Sequence, residues 1–387
     1  MKKKKKYYEE EPELQDEEPE EDDDYEDDDD YEDDYEEKAP RRHERGRGAR
    51  VLKTILDGLF GFGLATAIVV IIAALCLEYV IVKGPSTSLR NTFVLTMLET
   101  RRFDFISNIF LTQDEIKEIK AGNNTATQTT QDLSLISIAA TDEEAQIVDE
   151  TGKDAYGLVD DDGDGIIFTE VKGSGFLGYM IVVLDPTRVF VGMPDFYGGS
   201  GLTLEQMVEK YDAIGGINAG GFKDDGGGGS GGDPEGLTVI DGVYYNAGSG
   251  DSAFAGLDDK GILHVGYYDV NWAQAENMQY GVSFGPLLIM NGECCSFSGV
   301  VSGVNPRTAI AQRADGAIMM LVIDGRQVQS LGATYQDVAD LLLSYGAVNA
   351  CNMDGGSSTC MYYNGEYVNS SSAAAGARLL PNAFLVK

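Results

Sequence analysis

The stretch Asn352-Met353-Asp354-Gly355-Gly356-Ser357-Ser358 combines residue types that can act on a phosphorylated substrate. Asn352 and Asp354 are two residues apart, so an extended backbone puts both side chains on one face. The glycine pair can turn sharply at positive φ and offer amide N–H groups to an anion. A carboxylate beside an anion-binding turn suits chemistry on a phosphorylated substrate. Asp-Gly is also the commonest hairpin dipeptide, so the same residues fit a plain turn. Ile217-Asn218-Ala219-Gly220-Gly221-Phe222 has the same two readings: an Asn218 amide offered to a ligand, or a tight turn. Asn305-Pro306-Arg307-Thr308-Ala309 and Asp324-Gly325 add an arginine and a second carboxylate near strand boundaries.

Other chemistries fit less well. Beyond the N-terminal tail His264 is the only histidine, which disfavours a His-rich metal site and a Ser-His-Asp arrangement. His264 sits in the alternating stretch Ile262 to Tyr267, where a structural role is expected. Asp160-Asp161-Asp162-Gly163-Asp164-Gly165 has the glycine of a calcium loop in sixth place, but its twelfth residue is Val171 and Glu170 misses by one. A solvated turn before the strand Ile166 to Phe168 is the expectation. Gly228-Gly229-Ser230-Gly231-Gly232 matches a nucleophile elbow in letters alone, since no strand enters it and no helix leaves it. Of the five cysteines, Cys76 belongs to an apolar run, while Cys294, Cys295, Cys351 and Cys360 allow three pairings. A Cys351–Cys360 bridge would pin the loop carrying Asp354; free buried thiols fit equally. Asn123-Asn124-Thr125 and Asn369-Ser370-Ser371 match glycosylation acceptors.

Strands and helices must position these groups. Asp241-Gly242, Asn291-Gly292 and Asn364-Gly365 each predict a two-residue hairpin. Leu177 to Leu184 reads as a buried strand turned by Asp185-Pro186 into Val189 to Val191. Thr203 with Gln206 should cap a helix running to Gly215. Thr334 with Asp337 should start another, with Val338, Leu341, Leu342 and Tyr345 as its apolar stripe and Gly346 as its end. That helix delivers the chain into the stretch around Asp354. Many hairpins with few helices predict an α+β domain: a mixed, mainly antiparallel β-sheet core with flanking helices.

The chain has 387 residues and a formal net charge of −35. Glu9 to Glu37 is almost wholly acidic and cannot bury apolar surface, so a disordered, charged tail is expected over 1–57. The acidic balance argues against nucleic acid as a partner. Leu59 to Val82 is apolar and would span roughly 36 Å as a helix, enough to cross a bilayer. A transmembrane helix over 58–83 follows. Arg41, Arg42, Arg45, Arg47, Arg50 and Lys53 precede it, so the N-terminus is expected in the cytoplasm and everything after Lys83 outside. A helical stalk and linker should occupy 84–132, with Thr112 and Glu115 as a capping pair, and one compact domain 133–387.

Taken in order, Ile217 to Phe222, Phe284-Gly285-Pro286, Pro306 to Ala309, Asp324-Gly325 and Asn352 to Ser358 resemble the motifs of the phosphodiester glycosidase domain family. The likeness covers about Leu177 to Lys387. Ala219 stands where the family usually has glycine and Met353 where leucine is common. The resemblance implies hydrolysis between an anomeric carbon and a phosphodiester oxygen, in an exopolysaccharide or cell-envelope glycan. It implies Asp354 as nucleophile or base, Arg307 as phosphate clamp and Asp324 as a second carboxylate. Asn218 and Asn352 would orient substrate, with Gly220, Gly221, Gly355, Gly356 and Ser357 lining it. No cofactor and no metal are implied. A silent polysaccharide-binding module and a metal-dependent phosphodiesterase are the competing readings.

Overall fold

A computed structural model describes residues 45–99, 104–121, 130–138, 152–223, 230–246, 253–297, 303–369 and 376–387. The acidic tail, the Asn123 acceptor and Gly226 to Gly229 lie outside these residues. The chain divides into two units, Met1–Val69 and Val70–Lys387.

The first helix, α1 (Arg45–Lys83), carries the apolar run through both units. Its span Arg50–Lys83 is long and apolar enough to cross a membrane. In the second unit, α2 (Thr87–Glu99), α3 (Asp104–Phe110) and α4 (Gln113–Ala121) follow. They share a small core of Val82, Val94, Leu95, Leu111, Ile116 and Ile119. The Thr112 pair forms as expected: its N–H donates to Glu115 Oε2 at 2.7 Å, and the Glu115 N–H to Thr112 Oγ1 at 3.3 Å.

The α+β expectation holds. Seventeen strands make three antiparallel sheets among the described residues. The largest runs in the order β1 (Ile166–Gly173), β2 (Phe176–Val183), β13 (Ile318–Ile323), β12 (Arg307–Arg313), β14 (Ala347–Met353), β10 (Leu287–Met290), β11 (Glu293–Cys294). The second is β16 (Glu366–Tyr367), β15 (Met361–Tyr363), β4 (Gly215–Asn218), β17 (Ala383–Val386), β3 (Val189–Gly192). The third is β6 (Val243–Tyr245), β5 (Thr238–Ile240), β9 (Tyr280–Ser283), β7 (Ala253–Leu257), β8 (Leu263–Tyr267). The three predicted hairpins form, and their turn pairs all take two positive φ values: 51° and 69° at Asp241-Gly242, 55° and 77° at Asn291-Gly292, 50° and 90° at Asn364-Gly365.

One core gathers all three sheets, with Ile181, Val191, Ile217, Ala255, Val265, Ile310, Met353 and Phe384 among its members. The opposite face of the large sheet packs Met180, Ala309, Leu321 and Ala350 against α7 (Tyr335–Ser344) through Val338, Ala339 and Leu342. These three helix residues are 0% exposed. Full burial of a valine or leucine contributes about 1.5–3 kcal/mol, which anchors α7 and the strand after it. Gly346 ends that helix at φ 84°. The helix α5 (Leu204–Tyr211) is capped by Thr203 and Gln206 but stops short of Gly215, because Asp212 turns left-handed at φ 51°. A sixth helix, α6 (Val270–Ala275), covers the third sheet.

Candidate active site

The site is built where strands end. In the large sheet β12 lies between β13 and β14, with Arg307 opposite Ile323 and Thr308 opposite Met353. The exits of β13 and β14 therefore fall together, one on each side of the entry to β12. The β13 exit carries Asp324-Gly325-Arg326 and the β14 exit carries Asp354-Gly355-Gly356-Ser357. After this turn the chain leaves the large sheet and enters β15, beside β4, in the second.

Asn218, the last residue of β4, fastens that crossing. Its Oδ1 accepts from Thr308 Oγ1 at 2.8 Å and from the Cys360 N–H at 3.0 Å. Its Nδ2 donates to the Asp354 carbonyl at 2.6 Å. The Asp354 N–H donates to the Ala219 carbonyl and the Gly356 N–H to the Pro306 carbonyl, both at 2.9 Å. Asn218 is 1% exposed, so its amide acts as a clasp inside the protein. Gly355 is required by closeness: a Cβ there would lie 2.9 Å from the Pro306 carbonyl oxygen. Gly356 is required by its φ of 62°.

The other expected residues are placed as follows. Asn352 is 1% exposed; its Nδ2 donates to the Gly285 and Met353 carbonyls, each at 2.9 Å, and its N–H to the Pro286 carbonyl at 3.0 Å. It thus holds the cis Gly285–Pro286 corner against β14. Its Oδ1 is enclosed and has no hydrogen-bond partner among the described residues. The Gly220 N–H donates to Asn382 Oδ1 at 2.7 Å, and the Phe284 ring lies 2.8 Å from where a Gly221 Cβ would be. Ser357 Oγ accepts from Arg378 Nη1 at 3.0 Å. Asp354, Gly355, Gly356 and Ser357 are partly exposed, so the turn meets solvent on one side.

Asp324 is 2% exposed and serves the turn from behind. Its Oδ1 accepts from Asn369 Nδ2 at 3.2 Å. The same Nδ2 reaches the Thr359 carbonyl at 3.2 Å, and Asn369 Oδ1 accepts from the Met361 N–H at 2.7 Å. Asn369 is 8% exposed and engaged at both ends of its amide, which corrects its reading as a glycosylation acceptor. Arg307 is 4% exposed. It donates from Nε to the Ala333 carbonyl at 3.0 Å and from Nη2 to the Gly303 carbonyl, and it stacks on Tyr335 at 4.1 Å. Its Nε and Nη2 are thus engaged by main-chain carbonyls inside the protein.

Sequence reading missed two arginines. Arg326 Nη2 donates to Asn305 Oδ1 at 3.0 Å and stands 3.3 Å from a Gly356 Cβ position. Arg378, besides its bond to Ser357, lies over the Phe222 ring at 4.9 Å. Arg326 directly follows Asp324-Gly325, a signal that could have been used. Arg378 gave none.

The remaining candidates fall elsewhere. His264 is 4% exposed, its Nε2 is 3.2 Å from Asp258 Oδ2, and its ring meets Trp272 edge-on, so it is structural. All five cysteines are free, and no Cys351–Cys360 bridge forms. Burial, helped by the Asp354 charge, pushes the Cys360 thiol up to about 12, far from a reactive thiolate. The Asp160, Asp162 and Asp164 carboxylates lie within 4.8 Å of one another. Asp160 accepts from the Gly163 and Gly165 N–H groups at 3.0 Å each, and Asp164 Oδ1 from the Ile166 N–H at 2.8 Å, as in a solvated turn.

Residues 211–387 match the phosphodiester glycosidase family model. The chain is 29% identical over 197 residues to the SPbeta prophage-derived uncharacterized protein YomE of Bacillus subtilis (strain 168), covering 48% of this chain and 29% of that one. It is 36% identical over 73 residues to the N-acetylglucosamine-1-phosphodiester alpha-N-acetylglucosaminidase of Bos taurus, covering 19% of this chain and 14% of that one. The chain thus spans less than a third of the length of either relative. The zebrafish N-acetylglucosamine-1-phosphodiester alpha-N-acetylglucosaminidase catalytic domain superposes with TM-score 0.48 at 21% identity, over 57% of this chain and 81% of that one. The large sheet begins at Ile166, upstream of the matched residues. The motif-bearing strands from β4 onward and the turn they hold lie within residues 211–387, the part of the chain that is similar to the phosphodiester glycosidase family.

Proposed function

We propose that the chain is a membrane-anchored hydrolase that cleaves the anomeric bond of a sugar-1-phosphodiester in an envelope or exopolysaccharide glycan. The observation that carries this is the fixing of Asp354. Its N–H and carbonyl are both held, by Ala219 and Asn218, at a partly exposed turn between two sheets. A carboxylate on a turn held in this way can stabilise the oxocarbenium character that develops at the anomeric carbon, as nucleophile or as base toward water. A phosphate monoester leaves readily, so the reaction needs little help from a general acid.

Anchoring rests on α1, and orientation on the arginines that precede its apolar span. In this reading the domain after Lys83 faces the extracytoplasmic side. A product assay of the full-length chain on a panel of sugar-1-phosphodiesters tests the activity. In isotope-labelled water the label should enter the free sugar. Label in the phosphate would mean P–O cleavage and end this reading.

A further inference from the structure

We propose that Arg326 and Arg378 together form the phosphate-binding fork of this site, in place of Arg307; the substrate assignment rests on the hydrolase reading above. The two guanidiniums come from separate segments, the β13 exit and the stretch before β17. They converge on consecutive residues of one turn, Arg326 at Gly356 and Arg378 at Ser357. Arg326 is exposed and Arg378 partly so, whereas Arg307 is 4% exposed. The Asn305 amide oxygen helps to orient Arg326, and the Ser357 hydroxyl and the Phe222 ring help to orient Arg378.

Charge makes the pair functionally pointed. The chain has a formal net charge of −35, and Asp324 and Asp354 stand at the same strand ends, so a phosphate approaching without cations would be repelled. Two guanidiniums offset that repulsion and match a tetrahedral anion with planar, paired donors. Their role grows as the bond breaks. The anomeric C–O bond cleaves with its electron pair departing on the phosphate oxygen, and water adds to the carbon, its proton passing to Asp354 or to solvent. A singly charged diester becomes a monoester of higher charge, so the fork stabilises the leaving group more than the ground state.

The test uses the full-length chain in detergent with inorganic phosphate as probe. Arg326→Ala and Arg378→Ala should each weaken phosphate binding about 10- to 100-fold, the usual effect of losing a hydrogen bond to a charged group. Arg378→Lys should lose less, and Lys172→Ala, an exposed charge on β1, nothing. Retained thermal unfolding transitions establish that the variants fold. On substrates with graded leaving groups, both alanine variants should lower kcat most for the poorest leaving group, which a purely structural role would not do. Equal phosphate binding by wild type and both alanine variants, or none by the wild type, overturns the fork. Loss of phosphate binding in the variants with no cleavage of any sugar-1-phosphodiester by the wild type would leave the fork standing and remove the hydrolase reading. Cleavage with unchanged phosphate binding would do the reverse.

Discussion

Two aspartate–glycine turns can be compared directly. At Asp160 to Gly165 the carboxylates bond N–H groups within five residues of themselves, and the loop lies in solvent before an edge strand. At Asp354 to Ser357 the bonds come from Ala219, Asn218, Pro306 and Arg378, each far away in sequence. The first turn is closed largely by its own chain, with one bond from Arg188 to the Asp164 carbonyl. The second exists only because two sheets meet around it. Composition does not separate them; the origin of their partners does.

The comparison is broken most sharply by Asp354→Asn. It should lower turnover about 100- to 10,000-fold, the range for loss of a general acid–base group, with the unfolding midpoint unchanged. Full activity in single-turnover kinetics would reduce Asp354 to a turn residue like Asp160. Next in size is Asn218→Ala, which leaves the Thr308 hydroxyl, the Cys360 N–H and the Asp354 carbonyl without their clasp. It should destabilise the fold by about 2–5 kcal/mol, read from urea unfolding, and lower activity with it.

Asp258 is an intermediate case: a turn aspartate, bonded by the Lys260 and Ile262 N–H groups at 2.9 Å, that also faces His264. Burial disfavours its charged form, but His264 and the two N–H groups outweigh this and hold its carboxyl below the usual range. A depressed folded pKa contributes stability above the unfolded value, about 3.9, and loses it as pH falls through the folded one. The stability curves of wild type and Asp258→Asn should therefore separate above about pH 4 and converge below it. Parallel curves across that window would remove the Asp258 carboxylate from the account. The smallest effect belongs to Asp160→Ala, about 1 kcal/mol or less, with chelators changing neither Tm nor turnover. A marked rise in Tm on adding calcium would move this turn out of the solvated class.

Much of the fold was legible from local signals. Asn-Gly and Asp-Gly pairs marked the hairpins, and Thr203–Gln206 and Thr334–Asp337 marked two helix starts, because each is decided by neighbours in sequence. The residues that meet at the turn could be picked out of the sequence, but the direction of their side chains could not. Arg307 begins a strand buried on both faces, so sequence could not tell which face its side chain would take. It shares the parity of Ala309 and Ala311, which pack toward α7. Asn369 looked like a glycosylation acceptor because that motif is three letters long and says nothing of burial. Arg326 and Arg378 reach the turn from 30 and 21 positions away, and no local pattern ties either of them to it.

The clasp at Asn218 has a consequence for how the chain becomes active. Its three partners lie 90, 136 and 142 residues further on. During synthesis β4 must wait for most of the remaining chain before this amide is satisfied, and contacts of such long range close late because their loop entropy is lost before they are rewarded. Secondary structure should therefore recover before catalysis does, with turnover returning in the last phase of refolding.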